Sequence, residues 1–304
     1  MTDRVGAGRY APSPTGELHL GNLRTALLAW LFARSTGRQF LLRIEDLDAG
    51  RVRAGLAEQQ VADLTALGMD FDGVPVVQSQ RAPAYAAALA VIADRTYECF
   101  CTRREIAEAA SAPQGATAVY PGTCLELTDR QRAGRRRTRA PALRLRADGA
   151  AHSVHDVLHG AVTGQVDDFV VRRNDGVASY NLAVVVDDAG SGVDQVVRGD
   201  DLLASAVNQA YLTGLLGHPA PTYAHVPLAV NAEGRRLAKR DGAVTLSDLA
   251  TLRVGPPQVL GLIAKSLGWP APDRPADLLP MFDPARLPRD PWVLDAHLPL
   301  ESQP

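Results

Sequence analysis

Val5–Tyr10 reads as a short buried strand that breaks into a loop rich in proline and glycine. Asn22–Thr36 then reads as a helix, and Gln39–Ile44 as a second strand. In the helix, Leu23, Leu27, Trp30 and Leu31 stand at i, i+4, i+7 and i+8 on one apolar face, and Gly37 supplies a stop. Ala57, Val61 and Leu64 suggest a further helix, and Val76–Gln78, just after Pro75, a further short strand. Strands that alternate with helices pair in parallel, so an α/β sheet is expected.

The chain of 304 residues permits one large domain with an insertion, or two domains. With 32 basic and 34 acidic residues its net charge is -2, so no global field draws it onto a polyanion. Contact with nucleic acid would need a local basic face. Met1–Gly8 carries no apolar run, so no leader segment is expected, and no stretch of sequence suits a membrane helix. Three cysteines, an odd number in a chain of this size, argue against a disulfide framework and for a reducing compartment, so a cytoplasmic location is expected.

The alternation lapses between Cys99 and His159, where cysteines, charges and the basic run Arg135–Arg139 suggest an inserted subdomain. Beyond it, Phe169–Arg172 and Val177–Val186 flank Asn174-Asp175-Gly176, a hairpin signal. Tyr180–Asp188 reads as a buried strand re-entering the sheet. Asp201–Leu216 reads as a helix with Leu202, Ala206, Ala210 and Thr213 along one face. Residues 270–304 hold 9 of the 21 prolines and suggest an irregular or short-helix extension.

Three constellations carry chemistry. The first is Arg9-Tyr10-Ala11-Pro12-Ser13-Pro14-Thr15-Gly16-Glu17-Leu18-His19-Leu20-Gly21-Asn22, a stiff loop leading into a helix whose N-terminal amides and dipole suit phosphate. His19, just before that helix, is placed to donate to a phosphate oxygen. The second is Gly234-Arg235-Arg236-Leu237-Ala238-Lys239-Arg240-Asp241-Gly242, a basic loop bounded by glycines, which follows a strand end at His225-Val226-Pro227-Leu228. The third is Cys99-Phe100-Cys101 with Tyr120-Pro121-Gly122-Thr123-Cys124. Three thiolates and one further donor make a closed structural zinc site; His152, His155 and Glu126 are candidate fourth ligands, and three free thiols in a small core are the plainer reading. Arg135–Arg139, with Arg103 and Arg104, forms either a phosphate-contacting surface or a solvated charged loop.

The first loop resembles the HIGH-type signature of class I aminoacyl-tRNA synthetases, and its flanks, Arg9–Gly16 and Leu23–Leu27, resemble the glutamate-specific branch. The second resembles the KMSKS-type loop, with Lys239 matching its second lysine. Arg236 replaces the first lysine and Ala238 stands in place of serine. The Cys-x-Cys with Tyr-x3-Cys arrangement resembles the zinc site of glutamyl-queuosine tRNA(Asp) synthetases, which makes Tyr120 the implied fourth ligand beside Cys99, Cys101 and Cys124. About 50 residues follow Leu249, too few for an anticodon-binding domain of ordinary size, and this also points to that truncated branch.

The resemblance implies a Rossmann-like parallel sheet with an inserted zinc-bearing subdomain and a short C-terminal extension. It divides the chain into a first catalytic half (1–98), an insertion (99–168), a second catalytic half (169–250) and an extension (251–304). It assigns His19 and Lys239 to catalysis and His19, Gly21, Asn22 and Lys239 to ATP. Arg9, Tyr10, Ala11, Pro12, Ser13, Glu45, Tyr180 and Arg198 are assigned to glutamate. The chemistry suits them: a guanidinium binds a carboxylate bidentately, and Glu45 could hold the substrate ammonium. The implied activity is ligation: ATP-dependent formation of glutamyl-adenylate and transfer to queuosine in the anticodon of tRNA(Asp), with Mg²⁺ on ATP and structural Zn²⁺. A monomer without membrane contact is expected. The alternatives are an atypical or truncated glutamyl-tRNA synthetase that charges the tRNA 3′ end and a non-catalytic RNA-binding paralogue.

Overall fold

The computed structural model describes residues 6–102, 104–106, 120–237 and 244–294. The first half runs β1 (Ala7–Tyr10), α1 (Leu20–Arg34), β2 (Gln39–Ile44), α2 (Leu56–Ala66), β3 (Val76–Val77) and α3 (Ala82–Val91). There follow β4 (Thr96–Cys99), α4 (Asp129–Arg136), β5 (Ala142–Leu145), β6 (Ala151–Asp156), β7 (Gly160–Gln165) and β8 (Val170–Arg172). The second half continues with α5 (Tyr180–Gly190), β9 (Val193–Gly199), α6 (Leu203–Leu215), β10 (Thr222–Val226) and β11 (Ala229–Val230). Last come α7 (Leu246–Thr251), α8 (Pro256–Ser266) and β12 (Trp292–Val293).

The main sheet has seven strands in the order β3-β2-β1-β9-β10-β6-β7. All its neighbours are parallel except β6 and β7. From β1 the chain steps outward one way to β2 and β3, and the other way to β9 and β10. The order therefore reverses between β1 and β9, and beyond the carboxyl ends of such strands an open α/β sheet leaves a crevice. Arg9 and Tyr10 close β1, and Arg198 and Gly199 close β9, so both strands deliver residues of the expected site to that crevice.

Helix α1 is apolar around most of its circumference, and burial on both sides follows. Leu20, Leu23, Leu27 and Leu31 are fully buried, as are Val259 and Ile263 of α8 in the same core. The proline-rich extension closes this layer. Its first 3-10 turn, Pro275–Met281, buries Leu278; Leu287 is buried just after the second, Pro284–Arg286, and Phe282 meets Phe32 edge-on at 5.0 Å. β12 then pairs in parallel with β11, Ala229 opposite Trp292 and Val230 opposite Val293.

Two expectations change. Tyr180–Asp188 is not a strand but most of α5. A short apolar run fits a buried strand or a buried helix equally by pattern alone. Here the Ser179 hydroxyl accepts from Leu182 N at 3.3 Å and caps a helix. The turn at residues 173–177 does form, but its return arm is limited to one bridge between Arg172 and Ala178.

The interval expected as one inserted subdomain divides between two sheets. β4, β5 and β8 form a separate antiparallel sheet, whereas β6 and β7 extend the main sheet, with Asp156 opposite Tyr223 of β10. Among the described residues no helix is long and apolar enough to cross a membrane.

Candidate active site

His19 is the N-cap of α1. Its Nδ1 accepts from Gly21 N at 3.1 Å and Asn22 N at 3.3 Å, and the Asn22 side chain accepts from His19 N at 3.2 Å. Leu20 N donates to Val244 O at 3.0 Å and Leu23 N to His19 O at 3.1 Å. The first-turn amides, expected to face phosphate, are thus already partnered within the chain. What remains for a ligand is the helix dipole and the His19 Nε2–H, since an Nδ1 that accepts leaves the proton on Nε2. Burial, helped by the Arg236 charge, lowers the His19 pKa to about 4, so the ring is a neutral donor near pH 7.

Gly21 makes this cap possible. A Cβ there would lie 2.8 Å from the Ala229 Cβ and 3.0 Å from the His19 ring, too close for either to stay in place. Arg236 of the basic loop, whose charge reaches the His19 ring, and Thr245, just past the loop, flank this cap. Arg236 bridges Val230 of β11 and pairs with Asp201 at 2.5 Å, and Thr245 bridges His19 itself. The loop centre, Ala238, Lys239, Arg240, Asp241 and Gly242, lies outside the described residues.

A cleft of about 810 Å³ is lined by Ser13 of the loop that leads to His19, but not by His19 itself. Ser13, Glu45, Gln78, Tyr180 and Asn181 line one side, and Cys99, Phe100, Cys101 and Thr102 another. Arg9 and Arg198 stand behind that wall rather than in it, only 4% and 6% exposed. Arg9 Nε pairs with Asp188 at 3.2 Å, and its NH1 donates to Val197 O at 3.1 Å. Arg43 joins the same Asp188 at 2.5 Å and donates to Glu45 at 3.1 Å.

Burial alone would raise Asp188, but the Arg43 and Arg9 charges overcome it and hold the carboxyl below its usual range. For Glu45 burial wins over Arg43 and Arg9, and the pKa rises. Arg198 is not a surface ion-pair partner of Asp200 or Asp201. It donates to His225 Nε2 at 2.9 Å, Gln209 Oε1 at 2.7 Å, the Tyr180 hydroxyl at 3.4 Å and Leu202 O at 3.4 Å. Burial raises the Tyr180 pKa against the opposing charge of Arg198.

Residues 7–274 match the family described as tRNA synthetases class I (E and Q), catalytic domain. The chain belongs to this family. It is a ligase-type enzyme with the class I synthetase fold. Among its relatives is the glutamyl-Q tRNA(Asp) synthetase of Nocardia farcinica, 62% identical over 95% of this chain and 93% of that one. The glutamyl-Q tRNA(Asp) synthetase of Cutibacterium acnes is 53% identical over 91% of this chain and 80% of that one. A glutamate tRNA ligase from Elizabethkingia meningosepticum, solved with its amino acid, superposes with a TM-score of 0.78 at 26% identity, covering 97% of this chain and 68% of that one.

In this synthetase the sulfur atoms of Cys99, Cys101 and Cys124 lie within 4.8 Å of one another. Cys101 and Cys124 are 3.6 Å apart, close to the roughly 3.8 Å that two thiolates on one tetrahedral zinc would show. The Tyr120 hydroxyl is 3.4 Å from Cys99 Sγ and 3.7 Å from Cys101 Sγ. The same hydroxyl accepts from Cys124 N at 2.8 Å. His152, His155 and Glu126 are not part of the cluster, and His152 instead packs edge-on against Tyr211.

The basic run is partly structural. Arg135 donates to Cys124 Sγ at 3.5 Å, Arg136 pairs with Glu98 at 2.8 Å, and Arg139 donates to Phe100 O at 2.5 Å. Arg104 is described but Arg103 is not. Sequence reasoning missed Arg43, Asp156, Asp188, Gln209 and His225, because each is defined by a long-range partner that no local pattern displays.

Proposed function

We propose that this synthetase activates L-glutamate with ATP and transfers it from glutamyl-adenylate to queuosine in the anticodon of tRNA(Asp). The observation that carries the reading is the cleft lined by Ser13, Glu45 and Tyr180, with the buried guanidinium groups of Arg9 and Arg198 behind its wall. His19 caps α1 at the far end of the loop that carries Ser13. The names of the relatives support the acceptor.

In the activation step the glutamate α-carboxylate attacks the α-phosphorus of ATP, and the bond to the bridging oxygen breaks to release pyrophosphate. Negative charge grows on oxygen, and no protein nucleophile is needed, so catalysis is positioning and electrostatic stabilisation. His19 donates from Nε2 to a phosphate oxygen, and Lys239 neutralises charge on the leaving group. Gly21 and Asn22 shape the ATP cradle at the start of α1. Mg²⁺ on ATP would supply further charge neutralisation.

Ser13 and Glu45, with the backbone of Tyr10, Ala11 and Pro12, receive the amino acid. Glu45 accepts from its ammonium, and Tyr180 with Arg198 behind it selects the side-chain carboxylate, reinforced by the field of Arg9. Three cysteines and Tyr120 would hold a structural Zn²⁺ that fixes the far wall of the cleft.

The deciding experiment follows labelled glutamate into tRNA with and without queuosine and locates the label. Queuosine-dependent labelling of the anticodon is expected. Label on the 3′-terminal ribose, removed by periodate pretreatment, would overturn the acceptor assignment. Absence of any glutamate-dependent ATP–pyrophosphate exchange would overturn the activation chemistry. Lys239→Ala should slow exchange by about 10²–10³-fold, the usual cost of losing one transition-state donor.

A further inference from the structure

Among the described residues, one acid–base pair has both side chains fully buried. Asp156, at the end of β6, and His225, on β10, are both 0% exposed. We propose that Asp156 and His225 are positioning residues that hold Arg198 in the orientation with which it selects the substrate's side-chain carboxylate. This rests on the role given to Arg198 under Proposed function.

The hydrogen bonds leave the pair a single arrangement. Asp156 Oδ1 accepts from Leu158 N at 2.8 Å and His159 N at 3.0 Å. Its Oδ2 accepts from His225 N at 3.0 Å and faces His225 Nδ1 at 2.6 Å. A carboxylate surrounded by donors stays ionised, and burial, which would raise its pKa, is outweighed by the His225 and backbone N–H bonds. Facing an acceptor, Nδ1 must carry the imidazole proton. Nε2 is then a lone pair, and it is the atom to which Arg198 Nε donates at 2.9 Å.

Burial, with Arg198 adding to it, lowers the His225 pKa despite Asp156, in keeping with a neutral ring. A cation tethered to a neutral acceptor keeps its charge unspent, unlike Arg9, which is paired with a carboxylate. Gln209 and Tyr180 engage NH1, while NH2 makes one long contact of 3.4 Å to Leu202 O. NH2 is thus the least committed end of the guanidinium. The pair fixes its aim without neutralising it.

Asp156→Asn tests the arrangement. An amide hydrogen opposite Nδ1 would move the ring proton to Nε2, where it would confront the Arg198 Nε–H. In glutamate-dependent ATP–pyrophosphate exchange, KM for glutamate should rise by about tenfold or more, the scale of one misaligned charged hydrogen bond. The KM for ATP should stay within about twofold, and the preference for glutamate over glutamine should fall. His225→Gln, whose Oε1 can still accept from Arg198, should recover most of the glutamate affinity lost in His225→Leu, a comparison that also serves if Asp156→Asn does not fold.

Nitrogen-15 NMR of the wild-type protein should show the His225 proton on Nδ1; a proton on Nε2 would overturn the proposal. So would an unchanged glutamate KM in Asp156→Asn and His225→Leu, or equal losses for glutamate and ATP. If wild type exchanges glutamate normally while these variants match it, only this inference falls. If wild type shows no glutamate dependence, the reading of the site falls and takes the inference with it.

Discussion

His19 combines two jobs on one ring. Its Nδ1 caps the start of α1 and its Nε2 carries the proton, so the ring must stay neutral to do both. With a folded pKa of about 4 against about 6.5 when unfolded, the unfolded chain binds more protons between those values. The His19 contribution to stability is therefore complete above about pH 6.5 and is lost as pH falls towards 4. An NMR titration should place its midpoint near 4, and exchange activity should show no inflection from this ring between pH 5 and 8. A midpoint near 6.5 would mean that the ring is solvated and the cap open. The place of His19 just before α1 was legible in the sequence because it sits in a local motif, whereas Glu45 and Tyr180 were singled out by the resemblance alone. That Arg9 and Arg198 stand behind the wall was not legible, because it depends on Asp188, Val197, Gln209 and His225, distant along the chain.

Among the elements, β1, α1 and β2 were readable to within about two residues, since their apolar patterns and stops are local. α5 was misread because its apolar run carries no helical period and its two acids, Asp187 and Asp188, are buried rather than solvated. The cysteine element stands on few other contacts: its core is Tyr97, Cys99, Phe100, Tyr120 and Cys124. Cys124→Ser should lower bound zinc to well under one per chain by metal analysis. The same variant should expose the segment around β4 to proteolysis while the main sheet persists. Retention of full zinc by this variant would exclude Cys124 as a ligand. Trp292→Ala should destabilise the molecule by about 2 kcal/mol in denaturant unfolding, less than a fully buried tryptophan because its ring is only half-buried. It should also weaken ATP use, since β12 backs the strand that leads into the basic loop.

At the scale of the whole molecule, α5 ties together segments far apart in sequence. Asp187 accepts from Gln78 at 3.0 Å, Arg81 at 3.0 Å and the Tyr85 hydroxyl at 2.7 Å, while Asp188 holds Arg9 and Arg43. Asp188→Ala should cost about 3–5 kcal/mol in equilibrium unfolding, because it removes the carboxylate shared by two buried guanidinium groups and leaves Arg9 without the carboxylate it pairs with. A loss below about 1 kcal/mol would mean that solvent reaches them. The parallel α/β architecture was legible from the order of elements. The placing of β6 and β7 beside β10 was not, because nothing between Cys99 and His159 marks which sheet a hairpin will join. β11 carries a last consequence. It is clasped by β12 on one side and by Arg236 on the other, and its Ala229 meets the start of α1 at Gly21. Transplanting residues 234–242 alone into another scaffold would carry the charges across but leave behind what aims them.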